Sequence, residues 1–225
     1  MSYSYYEVYT NAQRAFSGLG FPYGADEDAA FIISWLEAFE LSGIHLFANI
    51  QKKIDNNFDG TLKNKDFLIE ISLEKRSCLM IGPGLVDFLN FQTLKNNEVK
   101  LEIQNCLDPL FLIPLLYRSV QKNIYSKISN QNKTLTILGN NKIFIHDDIK
   151  NNNCPNFSLY LSKSEIQIPD EQDFSTYDIL NQNLSNGLNP HQSSWDKISA
   201  LAFRTYVPES ETSREKGAGG GDAND

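Results

Sequence analysis

The residues whose types and spacing could do chemistry gather at the end of the chain. The stretch begins Arg204-Thr205-Tyr206-Val207-Pro208, passes Glu211-Thr212-Ser213-Arg214, and closes Gly217-Ala218-Gly219-Gly220-Gly221-Asp222-Ala223-Asn224-Asp225. Glycines let backbone N–H groups approach an anion closely. Arg204 and Arg214 could clamp a carboxylate or phosphate through paired N–H donors. Asp222, Asn224 and Asp225 offer oxygen ligands of the kind hard cations take. Three such residues on a terminus are a weak metal pattern, and no metal or other cofactor is assigned. The plain alternative is a frayed, glycine-rich tail. A G-x-G-x-x-G dinucleotide turn is excluded, because no strand precedes these glycines and no helix can follow them.

A second stretch, Ser17-Gly18-Leu19-Gly20-Phe21-Pro22-Tyr23-Gly24-Ala25-Asp26-Glu27, reads as a tight connection between helices or as a pocket rim faced by Arg14 and Glu27. The three histidines, His45, His146 and His191, are isolated in sequence. No spacing sets a nucleophilic Ser or Cys beside any of them. His146-Asp147-Asp148 is read as a solvated strand end rather than a metal site. Cys78, Cys106 and Cys154 are far apart in sequence and in no C-x-x-C spacing, so buried reduced thiols are expected instead of disulfides or a zinc knuckle.

Elements must position these groups. Ser4-x-x-Glu7 is a capping box ahead of Val8, Ala12, Ala15 and Phe16, predicting a helix from about residue 4 to 17, stopped by Gly18 and Gly20. Asp26-Glu27-Asp28 complement the dipole of a second helix, with Gly43 as its C-terminal stop. Residues 44–54 form a third, and residues 1–55 a helical subregion. Strands are expected over 67–73, 99–103, 134–138, 142–146 and 157–161, with Gly139-Asn140-Asn141 turning a hairpin. Pro83-Gly84 is read as opening a helix to Leu94. Asp108-Pro109 is read as capping a buried helix to Val120, with Pro114 kinking it or marking its true start. Residues 163–192 read as a long connection. Ser193/Ser194 are expected to cap a last helix to about Tyr206, ended by Pro208. The fold class is α+β, with a domain over 1–207 and a tail over 208–225 that folds back.

Composition bounds the function. Of 225 residues, 41% are hydrophobic, enough for a core and too many for a disordered chain. The net charge of −8 argues against nucleic acid and anionic lipid as partners. No apolar run approaches the roughly 20 residues that span a bilayer. The first residues lack a basic and then apolar leader, so a cytoplasmic location is expected.

Three segments together resemble a known family. They are Ala12-x-Arg14 to Gly18-x-Gly20 with Gly24-x-x-Glu27-x-Ala29 and Trp35-Leu36; Asn105-x-x-Asp108-Pro109-Leu110; and Trp195 to Arg204-Thr205-Tyr206-x-Pro208 with Glu211-x-Ser213-Arg214, Gly217-Ala218-Gly219 and Asp222-x-Asn224-Asp225. The chain resembles the bacterial family called domain of unknown function 3726, over nearly its whole length. That family's name carries no activity, so the resemblance implies no catalytic residue. It does imply that the tail is an integral part of the protein. Ala15-Phe16-Ser17 and Gly220-Gly221 depart from the family pattern. Leu19-Gly20, Asp28-Ala29, Leu36 and Gly43-Ile44 are also similar to the N-terminal helices of the second type of malate/lactate dehydrogenases. The Ser-His-Gly that carries the catalytic histidine there is absent, since His45-Leu46 follows Gly43-Ile44.

The function expected is binding of a small anionic metabolite between the tail and the Gly18–Glu27 turn. Arg14, Arg204 and Arg214 are its anion contacts. Gly18, Gly20, Ser213 and Asn224 line it, and Glu27, Glu211, Asp222 and Asp225 are its acidic groups. The alternative is an accessory module whose tail inserts into a partner protein.

Overall fold

The computed structural model describes residues 2–62, 70–131, 133–169 and 173–206. Helix α1 (Tyr5–Gly18) has the expected capping box. The Ser4 hydroxyl accepts from the Glu7 backbone N–H at 3.2 Å, and the Glu7 carboxylate accepts from the Ser4 N–H at 2.7 Å. Helix α2 (Ala25–Ala38) is buried on most of its circumference, as befits a helix packed on several sides. It touches α1, α3 (Gly43–Ile54), α4 (Cys78–Asn96) and α5 (Ile113–Val120), and so joins the N-terminal helices to the rest.

Gly43 does not end α2. The helix stops before Phe39, Glu40 and Ser42 take left-handed backbone with φ of 62° and 51°, and Gly43 opens α3. A Cβ at Gly43 would overlap the Ile33 carbonyl oxygen, so the close α2–α3 approach requires glycine there. Pro83 does not open α4 either. It lies inside the helix, which starts at Cys78, where the Ser77 hydroxyl accepts from the Leu79 N–H at 3.2 Å. The missing N–H of Pro83 costs α4 one bond, to the Leu79 carbonyl. Pro114 does mark a true start, at the second position of α5, after a 3₁₀ turn over Pro109–Leu112.

The strands β1 (Glu70–Ser72), β2 (Glu98–Gln104), β3 (Tyr125–Asn130), β4 (Lys133–Leu138), β5 (Lys142–Ile145), β6 (Phe157–Ser162) and β7 (Ser175–Thr176) form one sheet in the order β1-β2-β6-β3-β4-β5-β7. The β1–β2 pair is parallel and the others antiparallel. Leu101 faces Leu159 across β2–β6, and Val99 and Ile103 alternate with exposed or half-exposed neighbours. That alternation turns one face to α4 and α5 and leaves Lys100, Glu102 and Tyr160 on the other. The α+β class is as expected.

The stretch read as a connection contains β7 and helix α7 (Asp178–Asn186). Leu180 is the only buried residue of α7, so its apolar periodicity is faint. The last helix, α8 (Gln192–Ala202), follows His191 rather than being capped by Ser193/Ser194, and a 3₁₀ turn covers Phe203–Thr205. A short helix, α6 (Asp147–Lys150), follows His146, whose Nδ1 accepts from the Asp148 N–H at 3.0 Å. One connected cluster of buried apolar side chains runs from Val8 to Ala202. No described helix is long and apolar enough to cross a membrane.

Candidate functional site

Four of the residues expected from the sequence, Arg14, Gly18, Gly20 and Arg204, lie near the junction of α1 and α8. Asn11 donates to the Ser199 hydroxyl at 3.0 Å, one anchor of that packing. At Gly18 the two backbones touch: a Cβ there would overlap the Leu201 carbonyl oxygen and lie 3.2 Å from Arg204 Cβ. One turn earlier, the Arg14 guanidinium donates to the Tyr206 hydroxyl at 2.6 Å and lies 5.5 Å from its ring centroid. Among the described residues, Arg14 has no carboxylate within ion-pair distance. Arg204 does: its Nη1 is 2.9 Å from both oxygens of Asp55. Gly20 keeps a φ of 83° beside Asn56, whose N–H donates to the Leu19 carbonyl at 2.8 Å.

Arg14, Gly18, Gly20 and Arg204 therefore share one neighbourhood. Glu27 is held differently. It lies on α2, and its charge and that of Asp26 add to burial in raising the Tyr9 phenol above its ordinary range. The buried Asp26, not Glu27, organises the turn, accepting from the Ser17 hydroxyl at 2.7 Å and the Gly24 N–H at 3.0 Å. Glu211, Ser213, Arg214, Asp222, Asn224 and Asp225 lie outside the described residues, so the tail half of the expected site does too.

Two polar constellations were not read from the sequence. At the α2–α3 corner, a cavity of about 240 Å³ is lined by Glu37, Glu40, Ser42, Asn183, Gly187, Leu188 and Asn189. Burial raises the Glu37 carboxyl above its ordinary range, although its Oε2 accepts from the Ile44 N–H at 2.9 Å and so caps α3. His45, one residue on, has Nδ1 3.2 Å from the Ser194 hydroxyl and Nε2 3.1 Å from the Asn49 amide. A Ser does therefore sit beside a His, through a contact between residues far apart in sequence. The legible signal was Gly43-Ile44-His45.

The second constellation is buried. Cys78 and Cys106, distant in sequence, have sulfurs 3.4 Å apart with Asp108 beside them, and Cys154 is buried as well. All three thiols are free, as expected. The Asp108 carboxylate accepts from the Ser77 hydroxyl at 2.5 Å and from the Cys78 N–H at 2.6 Å. Asp108 was expected to cap its own helix, yet it makes no such bond there and serves α4 instead. A set of Cys78, Cys106 and Asp108 is a donor set a soft cation can use. The Asp108 carboxylate already accepts two hydrogen bonds from within the protein.

The fold is shared with solved structures of very low sequence identity. Malate dehydrogenase from Entamoeba histolytica aligns over 93% of this chain and 99% of its own, with a TM-score of 0.58 at 6% identity. Sulfolactate dehydrogenase from Methanocaldococcus jannaschii aligns over 89% of this chain and 96% of its own, with a TM-score of 0.57 at 8% identity. At such identity the likeness is one of fold. No curated protein matches the chain by sequence. Residues 3–77, which carry α1, α2, α3 and the approach to α4, match the family described as Protein of unknown function (DUF3726).

Proposed function

We propose that the protein binds a small anionic metabolite at the α1–α8 junction. Arg14 is the principal anion contact, and Gly18 and Gly20 give the backbone its close approach. Arg204 is the second cation, and a ligand must compete with Asp55 for it. Residues Glu211, Ser213, Arg214, Asp222, Asn224 and Asp225 complete the site from the tail, and Glu27 is its acidic group from α2. The observation that carries this reading is the meeting of Arg14 with Tyr206 at 2.6 Å, where the described chain ends. The fold adds support, since both dehydrogenases above are named for small carboxylates.

The test is calorimetric titration of malate and sulfolactate into the full chain, the chain lacking residues 207–225, and Arg14→Ala. The proposal expects saturable binding to the full chain, lost in both variants with little change in Tm. Equal binding by the truncated chain would sink it. A second reading is favoured by the exposed aromatic pair Phe203 and Tyr206, 68% and 53% accessible with ring centroids 5.4 Å apart. Such a pair suits docking of a partner protein beside the tail. A stoichiometric partner that co-purifies with the full chain and is lost on truncation, with no small-molecule binding, supports it.

A further inference from the structure

The buried cluster at the start of α4 has the donors and the spacing of a cation site. Cys78 opens α4, and Cys106 and Asp108 lie between β2 and the 3₁₀ turn that precedes α5. The Cys78 and Cys106 sulfurs are 3.4 Å apart, and these sulfurs and an Asp108 oxygen all lie within 4.8 Å of one another. None of the three residues is more than 3% exposed. The backbone that carries them is pinned. The Cys106 N–H donates to the Pro155 carbonyl and the Lys75 N–H to the Asn105 carbonyl, both at 2.8 Å. The Ser77 hydroxyl and the Cys78 N–H orient the Asp108 carboxylate, with one hydrogen bond to each oxygen. A carboxylate oxygen has two lone pairs, so each keeps one for a further partner.

The charges point the same way. Asp108 is 2% exposed and, among the described residues, forms no ion pair. Buried charges are ordinarily paired with an opposite charge or held on a metal. We propose that Cys78, Cys106 and Asp108 bind a divalent cation of the zinc class. The cation takes the place of the two thiol protons, which leave to solvent as two metal–sulfur bonds form, and no electron is transferred. The positive charge gained equals the positive charge lost, so the buried cluster keeps the net charge of the lone carboxylate. Thiolate donors disfavour calcium and magnesium, which take oxygen. Metal–sulfur bonds of about 2.3 Å set two ligands about 3.8 Å apart on a tetrahedron and about 4.6 Å apart on a line. The observed 3.4 Å is close to the first and far short of the second, which favours a tetrahedral ion over a linear monovalent one. Cys154 stays outside the set, its thiol donating to the Asn156 carbonyl at 3.2 Å. This site is distinct from the α1–α8 junction, so either reading can fail alone.

Refolding the full, reduced chain from urea with Co²⁺ tests it, because a closed core takes up its ion as it forms. A chain refolded in chelator is the metal-free reference. One ion per chain is expected, with a near-ultraviolet thiolate-to-cobalt band, about two more protons released than in chelator, and a higher Tm. Zn²⁺ should displace Co²⁺ and erase the band. Cys78→Ser and Cys106→Ser should each weaken binding by about tenfold or more, and Cys154→Ser should bind like the wild type. Should the serine variants not fold, cadmium NMR of the wild type carries the test, since the cadmium shift reports how many sulfurs ligate; two are expected. The proposal is overturned if no charge-transfer band forms, if the double variant of Cys78 and Cys106 binds unchanged, or if the cadmium shift reports any other number of sulfurs.

Discussion

Asp108 Oδ1 accepts a hydrogen bond at 2.6 Å from the backbone N–H of Cys78, 30 positions earlier in the chain. With Oδ2 accepting from the Ser77 hydroxyl at 2.5 Å, one carboxylate ties the start of α4 to the segment that leads into α5. The orphan N–H groups of a helix start are commonly satisfied by a side chain next in sequence. Here a residue from across the core supplies the acceptor, and it does so while buried.

That burial has a pH signature. It pushes Asp108 up from 3.8 to about 6, against the hydrogen bonds from Ser77 and Cys78. Below about pH 4 the carboxyl is protonated in both the folded and unfolded states. Between about 4 and 6 the unfolded chain loses its proton first, so stability falls as pH rises, and it levels above 6. The span corresponds to about 3 kcal/mol. Urea unfolding of the wild type and Asp108→Asn across pH 4 to 7 should show a steeper fall in the wild type. Parallel profiles would show that Asp108 does not titrate in this range.

The thiols should be inert in the native state. Hydrogen bonding with Cys106 and then burial hold the Cys78 thiol well above its ordinary range, and burial raises Cys154 as well. Because the thiolate is the reactive form, labelling with a thiol-specific disulfide reagent should be slow in the folded protein and complete for all three cysteines in denaturant. Fast native labelling of Cys78 would contradict the packing described.

Gly18→Ala should destabilise. The added methyl overlaps a backbone carbonyl, that of Leu201, which cannot move without unseating α8. A cost of about 1–3 kcal/mol is expected for such overpacking, more than the gain of about 1 kcal/mol from helix propensity. Thermal or urea melts measure it. An unchanged or raised Tm would show that α8 seats differently.

The two carboxylate partnerships near the termini of α3 should differ in weight. Glu37→Ala leaves the Ile44 N–H without its acceptor and should cost about 1 kcal/mol, as lost helix caps do. Arg204→Ala removes a pair whose side chains are 45% and 31% exposed, and should cost less than about 1 kcal/mol, fading in high salt. Equilibrium unfolding at two salt concentrations separates them.

Local chemistry was legible in the residues themselves. The capping box of α1, the alternation of β2 and the turn at Gly139-Asn140-Asn141 all rest on near neighbours, where covalent spacing alone brings groups together. The failures share one cause. Gly43, Pro83 and Asp108 each looked like local punctuation, but their roles are set by an Ile33 carbonyl, a buried α4 start and a Cys78 N–H on other elements. Helix α7 escaped notice because a single buried leucine leaves almost no periodicity to read. The sequence also marked Arg14, Gly18, Gly20 and Arg204 as residues of interest, by type. Only the tertiary structure brought them into one neighbourhood, paired Arg204 with Asp55 and left Arg14 with Tyr206, because contacts between residues 149 and 192 positions apart are set by how helices pack, not by the order of the chain.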